Sequence, residues 1–137
     1  MRFRVFAATA LLLAIAALAA CVPPGVACPA IGYVYMSPVK VEISADLVGN
    51  GTVAACFGAE CEPAAIAPSR DGGWEVPPEP PYAAADTIGL YPGAGIRIVI
   101  VDGSGEVVRD EWIEIPYTST SNGSCPGPVD FHSVAVS

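Results

Sequence analysis

Apolar residues follow two rhythms along this chain. From Val5 to Ala20 they run almost unbroken, with Thr9 the only interruption. From residue 31 onward they come in short bursts separated by Gly, Pro, Asn and Asp. The clearest burst alternates Val39, Val41 and Ile43 with Lys40, Glu42 and Ser44, the period of a half-buried strand. Strands are expected over 31–35, 39–44, 52–57, 73–76, 87–91 and 129–136, with Gly49-Asn50-Gly51 as a turn before the third. A hairpin is expected over 96–115, where two runs flank Asp102-Gly-Ser-Gly105 and either of two registers sets Arg97 opposite Asp110 or Glu111. No stretch has the spacing and length of a secure helix, and prolines punctuate nearly every segment. Seven to nine short strands with a turn every ten or so residues predict an all-β, immunoglobulin-like sandwich stapled by disulfides, with an open β-barrel as the alternative. In true immunoglobulin domains the bridge joins two central strands around a tryptophan. The cysteines here are placed differently, so Trp74 and Trp112 are expected to be core or loop-packing residues.

The long apolar run follows the cationic stretch Met1-Arg2-Phe3-Arg4 and is the pattern of a secretory leader. A transmembrane helix needs about 20 apolar residues, and Cys-Val-Pro-Pro-Gly follows this run at once, a sequence that cannot continue a helix. The junction Leu18-Ala19-Ala20-Cys21 resembles the lipobox of bacterial lipoproteins at every position. The resemblance implies cleavage before Cys21 and a thioether-linked diacylglycerol on it, with further acylation such as palmitate. The protein would then be held on the extracytoplasmic face of the cell membrane. More than one acyl chain matters, because each buried CH₂ contributes about 0.8 kcal/mol and a single chain binds only marginally. The competing reading makes Cys21 an ordinary disulfide cysteine behind an Ala-Ala cleavage site. The organisation expected is therefore a signal peptide over 1–20, a lipidated tether over 21–27 and one domain over 28–137, with a proline-rich excursion near 62–92.

Charge narrows the partners. Beyond the leader only Lys40, Arg70, Arg97 and Arg109 are basic, against fourteen acidic residues. That balance argues against nucleic acid and anionic headgroups, both of which need a basic footprint. The acids are spread along the chain, which reads as a device for solubility. With Cys21 assigned to lipid, four of the five cysteines remain, and an even set outside the cytoplasm reads as disulfides with three possible connectivities. The expected pairs are Cys56 with Cys61, closing a short loop that turns at Gly58, and Cys28 with Cys125, joining the start of the domain to its last strand. A zinc site is the alternative, but paired Cys-x₂-Cys knuckles are missing. The Cys28-Pro-Ala-Ile31-Gly-Tyr start, the mid-chain cysteine pair and the Cys125-Pro-Gly-Pro segment together resemble small lipoproteins of actinobacterial type. That resemblance spans most of 21–137 and implies no activity.

Catalytic chemistry finds little footing. His132 is the only histidine and falls in an alternating strand, which predicts a solvent-facing residue before a base. Ser104 belongs to a hairpin turn and lacks a strand-to-helix elbow; no Gly-x-Ser-x-Gly is present. Asp102, Ser104 and Glu106 alternate beside a glycine turn, with Asp110, Glu111 and Glu114 following, but the spacing fails the calcium-loop pattern. No dinucleotide fingerprint or phosphate-cradling loop occurs, so no cofactor and no metal are expected. Asn50-Gly51-Thr52 and Asn122-Gly123-Ser124 fit the glycosylation sequon, yet Asn-Gly is first a turn signal. The remaining feature is the run Pro77-Pro78-Glu79-Pro80-Pro81. With Trp74 and Tyr82 it could present a stiff polyproline surface to a partner, or serve as a rigid spacer. The functional expectation is a membrane-tethered lipoprotein of the cell envelope, not an enzyme, acting as an accessory or binding module. The alternative is a protein-binding or inhibitor domain working through the Pro77 to Pro81 loop, its partner an envelope protein.

Overall fold

The computed structural model describes residues 28, 33–86, 89–120, 125 and 127–137. The leader, Cys21, the tether, residues 31–32 of the strand expected over 31–35, residues 87–88 of the strand expected over 87–91, and the Asn122 turn lie outside the described residues.

Nine strands are present among these residues, together with one four-residue helical turn. Strand β1 (Val39–Ile43) is the centre of a three-stranded sheet, with β4 (Trp74–Val76) antiparallel on one side and β9 (Val134–Val136) parallel on the other. The second sheet has the order β3-β2-β5-β6 and is antiparallel throughout: β3 is Ala64–Ile66, β2 Thr52–Phe57, β5 Gly95–Val101 and β6 Val107–Glu114. A third, two-stranded ribbon joins β7 (Tyr117–Ser119) to β8 (Val129–Phe131). The helical turn α1 (Ala45–Val48) links β1 to the glycine turn before β2.

The two larger sheets make an all-β sandwich because their alternating apolar faces meet. Val39, Val41, Val76, Val134 and Val136 come from the first sheet; Val53, Ala55, Ile66, Ile96, Ile98 and Ile100 come from the second, and Ile115 joins the same cluster. Ile96, Ile98, Ile100 and Ile115 are wholly buried, and each such side chain stabilises the fold by about 1.5 to 3 kcal/mol relative to exposure. No polar or charged side chain among the described residues is buried in this core, so nothing there needs a compensating partner. Gly51 sets how closely the sheets' connections approach. A Cβ there would run into the carbonyl oxygens of Val101 and Val48, so only glycine lets the α1–β2 turn lie against the end of β5.

Both expected disulfides are formed: Cys28–Cys125, spanning 97 residues, and Cys56–Cys61, spanning five. Four expectations need correction. In the hairpin Arg97 lies opposite neither acid but opposite Trp112, with Glu111 facing Ile98 and Asp110 facing Val99; an irregularity at Ile100/Val101 shifts the register beside the turn. The strand expected over 129–136 breaks at His132-Ser133, where the His132 N–H donates to Pro116 O and the chain passes from the ribbon to the first sheet. The proline-rich segment is not an extended polyproline excursion. It folds into successive turns in which Glu79 N–H donates to Pro77 O, while Tyr82 and Ala83 N–H both donate to Glu79 O. Of the strand expected to end at Tyr91, Leu90 forms a single bridge to Tyr35.

Candidate binding surfaces

Alternation in the segment before β1 places Tyr33 and Tyr35 on one side of an extended chain. Tyr35 stacks near Tyr33 at 6.5 Å between ring centres, meets Phe131 edge-on at 5.2 Å and 82°, and Phe131 meets Tyr117 at 6.0 Å. Four aromatic rings from three separate segments thus form a row. It is pinned where the Val129 N–H donates to the Tyr35 hydroxyl at 2.6 Å. Beside the row opens a cleft of about 300 Å³ whose lining includes Tyr35, Lys40, Leu90, Asp130, Phe131 and His132. An apolar, aromatic wall with an ammonium, a carboxylate and an imidazole at its edge can hold a small ligand by its faces and orient it by its polar groups. His132 is exposed there, and its Nε2 lies 3.2 Å from Thr118 Oγ1. Strand alternation made the Tyr33/Tyr35 pair readable, but nothing along the chain announced that Phe131 and Tyr117 would complete it.

The Pro77 to Pro81 group is divided by the fold. Trp74 and Tyr82 are half-buried and pack against the core, Pro78 is buried, and Pro77 is half-buried. Of these six residues only Pro80 and Pro81 are exposed. Tyr82 is held on both sides: its backbone oxygen accepts from the Phe57 N–H at 2.8 Å and its hydroxyl donates to Ala65 O at 3.2 Å. The segment therefore seals the end of the second sheet, and the six residues do not make one outward face.

The acidic turn is occupied by its own backbone. Asp102 Oδ1 accepts from Ser104 Oγ (2.6 Å), Ser104 N–H (2.8 Å) and Glu106 N–H (3.0 Å), and the Ser104 hydroxyl first, then these amides, hold the carboxyl below the usual range. Ser104 thus spends its hydroxyl bracing a turn. Among the described residues no group of three or more His, Cys, Asp or Glu side chains is arranged to hold a metal ion. On the outer face of the second sheet Arg97 grips Asp110 bidentately at 2.8 and 2.7 Å. That hydrogen-bonded pair lowers the Asp110 pKa and raises that of Arg97. Beside it the Trp112 ring lies over Gly95, where a Cβ would collide with it.

No family model, curated protein or solved structure matches this chain.

Proposed function

We propose that this protein is a lipid-anchored module of the bacterial cell envelope, held at the extracytoplasmic face by Cys21, that binds a ligand and catalyses no reaction. The observation that carries the reading is the lipobox Leu18-Ala19-Ala20-Cys21 directly upstream of a domain whose four other cysteines pair into two disulfides. Disulfides persist in oxidising compartments, so the pairing supports export independently of the leader. The surface we assign to the ligand is the aromatic cleft beside Tyr35 and Phe131, because it combines concavity, ring faces and a few converging polar groups.

Intact mass spectrometry of the protein from its native membrane, with and without reduction, tests the anchor. The expected mass lacks residues 1–20, carries acyl chains on Cys21 and gains four hydrogens on reduction, two for each bridge. An unacylated mass overturns the anchor. A hydrolytic activity that disappears in His132→Ala would overturn the non-catalytic part.

A further inference from the structure

The antiparallel bridge between Tyr35 and Leu90 has two unlike faces. Leu90 is buried and Tyr35 packs against the core, so both turn inward, toward the aromatic cleft that they help to line. Alternation turns their neighbours outward, and the pairing sets Val34 across from Tyr91 and Met36 across from Gly89. Val34, Met36 and Tyr91 are each more than half exposed. Gly89, at φ +65°, keeps the space between them clear: a Cβ there would meet Tyr35 O, Val34 Cγ1 and Met36 Sδ at 2.7, 3.0 and 3.2 Å. The three side chains make one outward apolar patch on the opposite face of the bridge from the cleft. Charge is missing from the segments that build it, since no charged residue falls in 22–39 or in 87–96. A third uncharged stretch, 115–129, is fastened to the first by the Cys28–Cys125 bridge and by the Val129 N–H on the Tyr35 hydroxyl.

Resting on the lipidation of Cys21 proposed above, we infer that the patch of Val34, Met36 and Tyr91 is seated in the headgroup layer of the membrane that holds the anchor. Tether length carries the first step. Seven residues lead from Cys21 to Cys28, which the fold holds through Cys125, and that chain reaches at most about 25 Å. A small domain is about 30 Å across, so the anchor keeps this one within its own width of the bilayer. Charge carries the second step, because acidic faces are repelled by anionic lipid and the uncharged end, where the tether enters, is not. Chemistry carries the third. Tyrosine, with an apolar body and a hydroxyl tip, suits the headgroup depth, and Val34 and Met36 gain by leaving water there. The other exposed apolar group, Val107, Val108 and Trp112, shares β6 with Arg109, Asp110, Glu111 and Glu114 and lacks this neutral setting. With the patch on the membrane, the cleft on the other face of the bridge stays open to a ligand.

Flotation and lipid quenching, run on the protein purified with its anchor and reconstituted into vesicles of phosphatidylcholine and phosphatidylglycerol, read the anchor and the seating separately. The Tyr91→Trp variant is expected to float with the vesicles. The emission it adds to that of Trp74 and Trp112 should fall about twofold or more when the acyl chains carry bromine. Adding Val34→Glu and Met36→Glu to that variant should abolish the quenching while flotation persists, because the anchor is untouched. Adding Val107→Glu instead, at an exposed position of β6, should leave the quenching as it was. A chain that floats without quenching overturns the seating and leaves the anchor standing; a second copy on the patch would give that result. Quenching indifferent to the two glutamates, or lost equally with Val107→Glu, overturns the seating as well. A chain that does not float overturns the anchor, and the seating with it.

Discussion

Strands β5 and β6 are two arms of one hairpin, yet they live in different solvents. On the inward face β5 carries Ile96, Ile98 and Ile100, all completely buried. Opposite them β6 carries Ile113, Glu111 and Arg109 in that order, apolar only at the end nearest Ile115. The change from isoleucine to charge along one face of one strand marks where the opposing sheet stops covering it. A hairpin signal thus tells that two strands pair; the inward residues of each strand tell how far the other layer reaches.

Substitutions should divide along that line. Ile98→Ala, at the covered centre of β5, is expected to cost about 2 to 5 kcal/mol in urea or thermal unfolding, the sum of lost transfer energy and a residual cavity. A cost under about 1 kcal/mol would mean that the sheets are less closely packed there. Gly51→Ala comes next, at about 1 to 3 kcal/mol, because its methyl group must displace the backbone at the end of β5. The Arg97–Asp110 pair should show itself in pH dependence. The Asp110 pKa is lowered in the folded state, chiefly by the hydrogen bond from Arg97, so its contribution is fully present above the ordinary carboxylate pKa of about 3.9. It is lost as pH falls through the folded value. Asp110→Asn should therefore flatten the loss of stability between neutral pH and the acid limb, read from urea midpoints at several pH values; an unchanged acid limb would show that the exposed pair is screened. Glu111→Ala, directly across from Ile98, should be the smallest of these effects, within about 0.5 kcal/mol.

The same contrast explains what could be read from the chain alone. Strands β1, β2, β5 and β6 were readable because each has enough residues for its alternation to repeat. Parity and compartment left three connectivities open, and the short loop with its turn residue favoured the pairing that is formed. Strands β3 and β7 have three residues each, too few to carry a period, and are held by partners distant along the chain. The expected continuous strand over 129–136 alternated well enough, but its break at His132 is imposed by two different neighbours, β7 and β1, which claim its halves. The proline run misled for a related reason. Proline restricts the backbone without saying whether the segment stands away from the domain or folds onto it, and here Pro78 and Tyr82 have a place to pack. The aromatic cleft was half readable: Tyr33 and Tyr35 share a face by local geometry, whereas Phe131 and Tyr117 reach it only through the ribbon that pairs β7 with β8.

The bridge between Cys28 and Cys125 has a mechanical consequence. Tension applied to the two ends of the chain enters at residue 28 and crosses directly to residue 125 through a covalent link. Strands β1 to β7 lie inside that loop and cannot be drawn out while it holds. Only β8 and β9, which follow Cys125, lie on the loaded path and can be stripped away. In a single-molecule pull the oxidised protein should lengthen by only its short tail. The reduced protein should release the chain between the cysteines, a sequence separation of 97, as additional length.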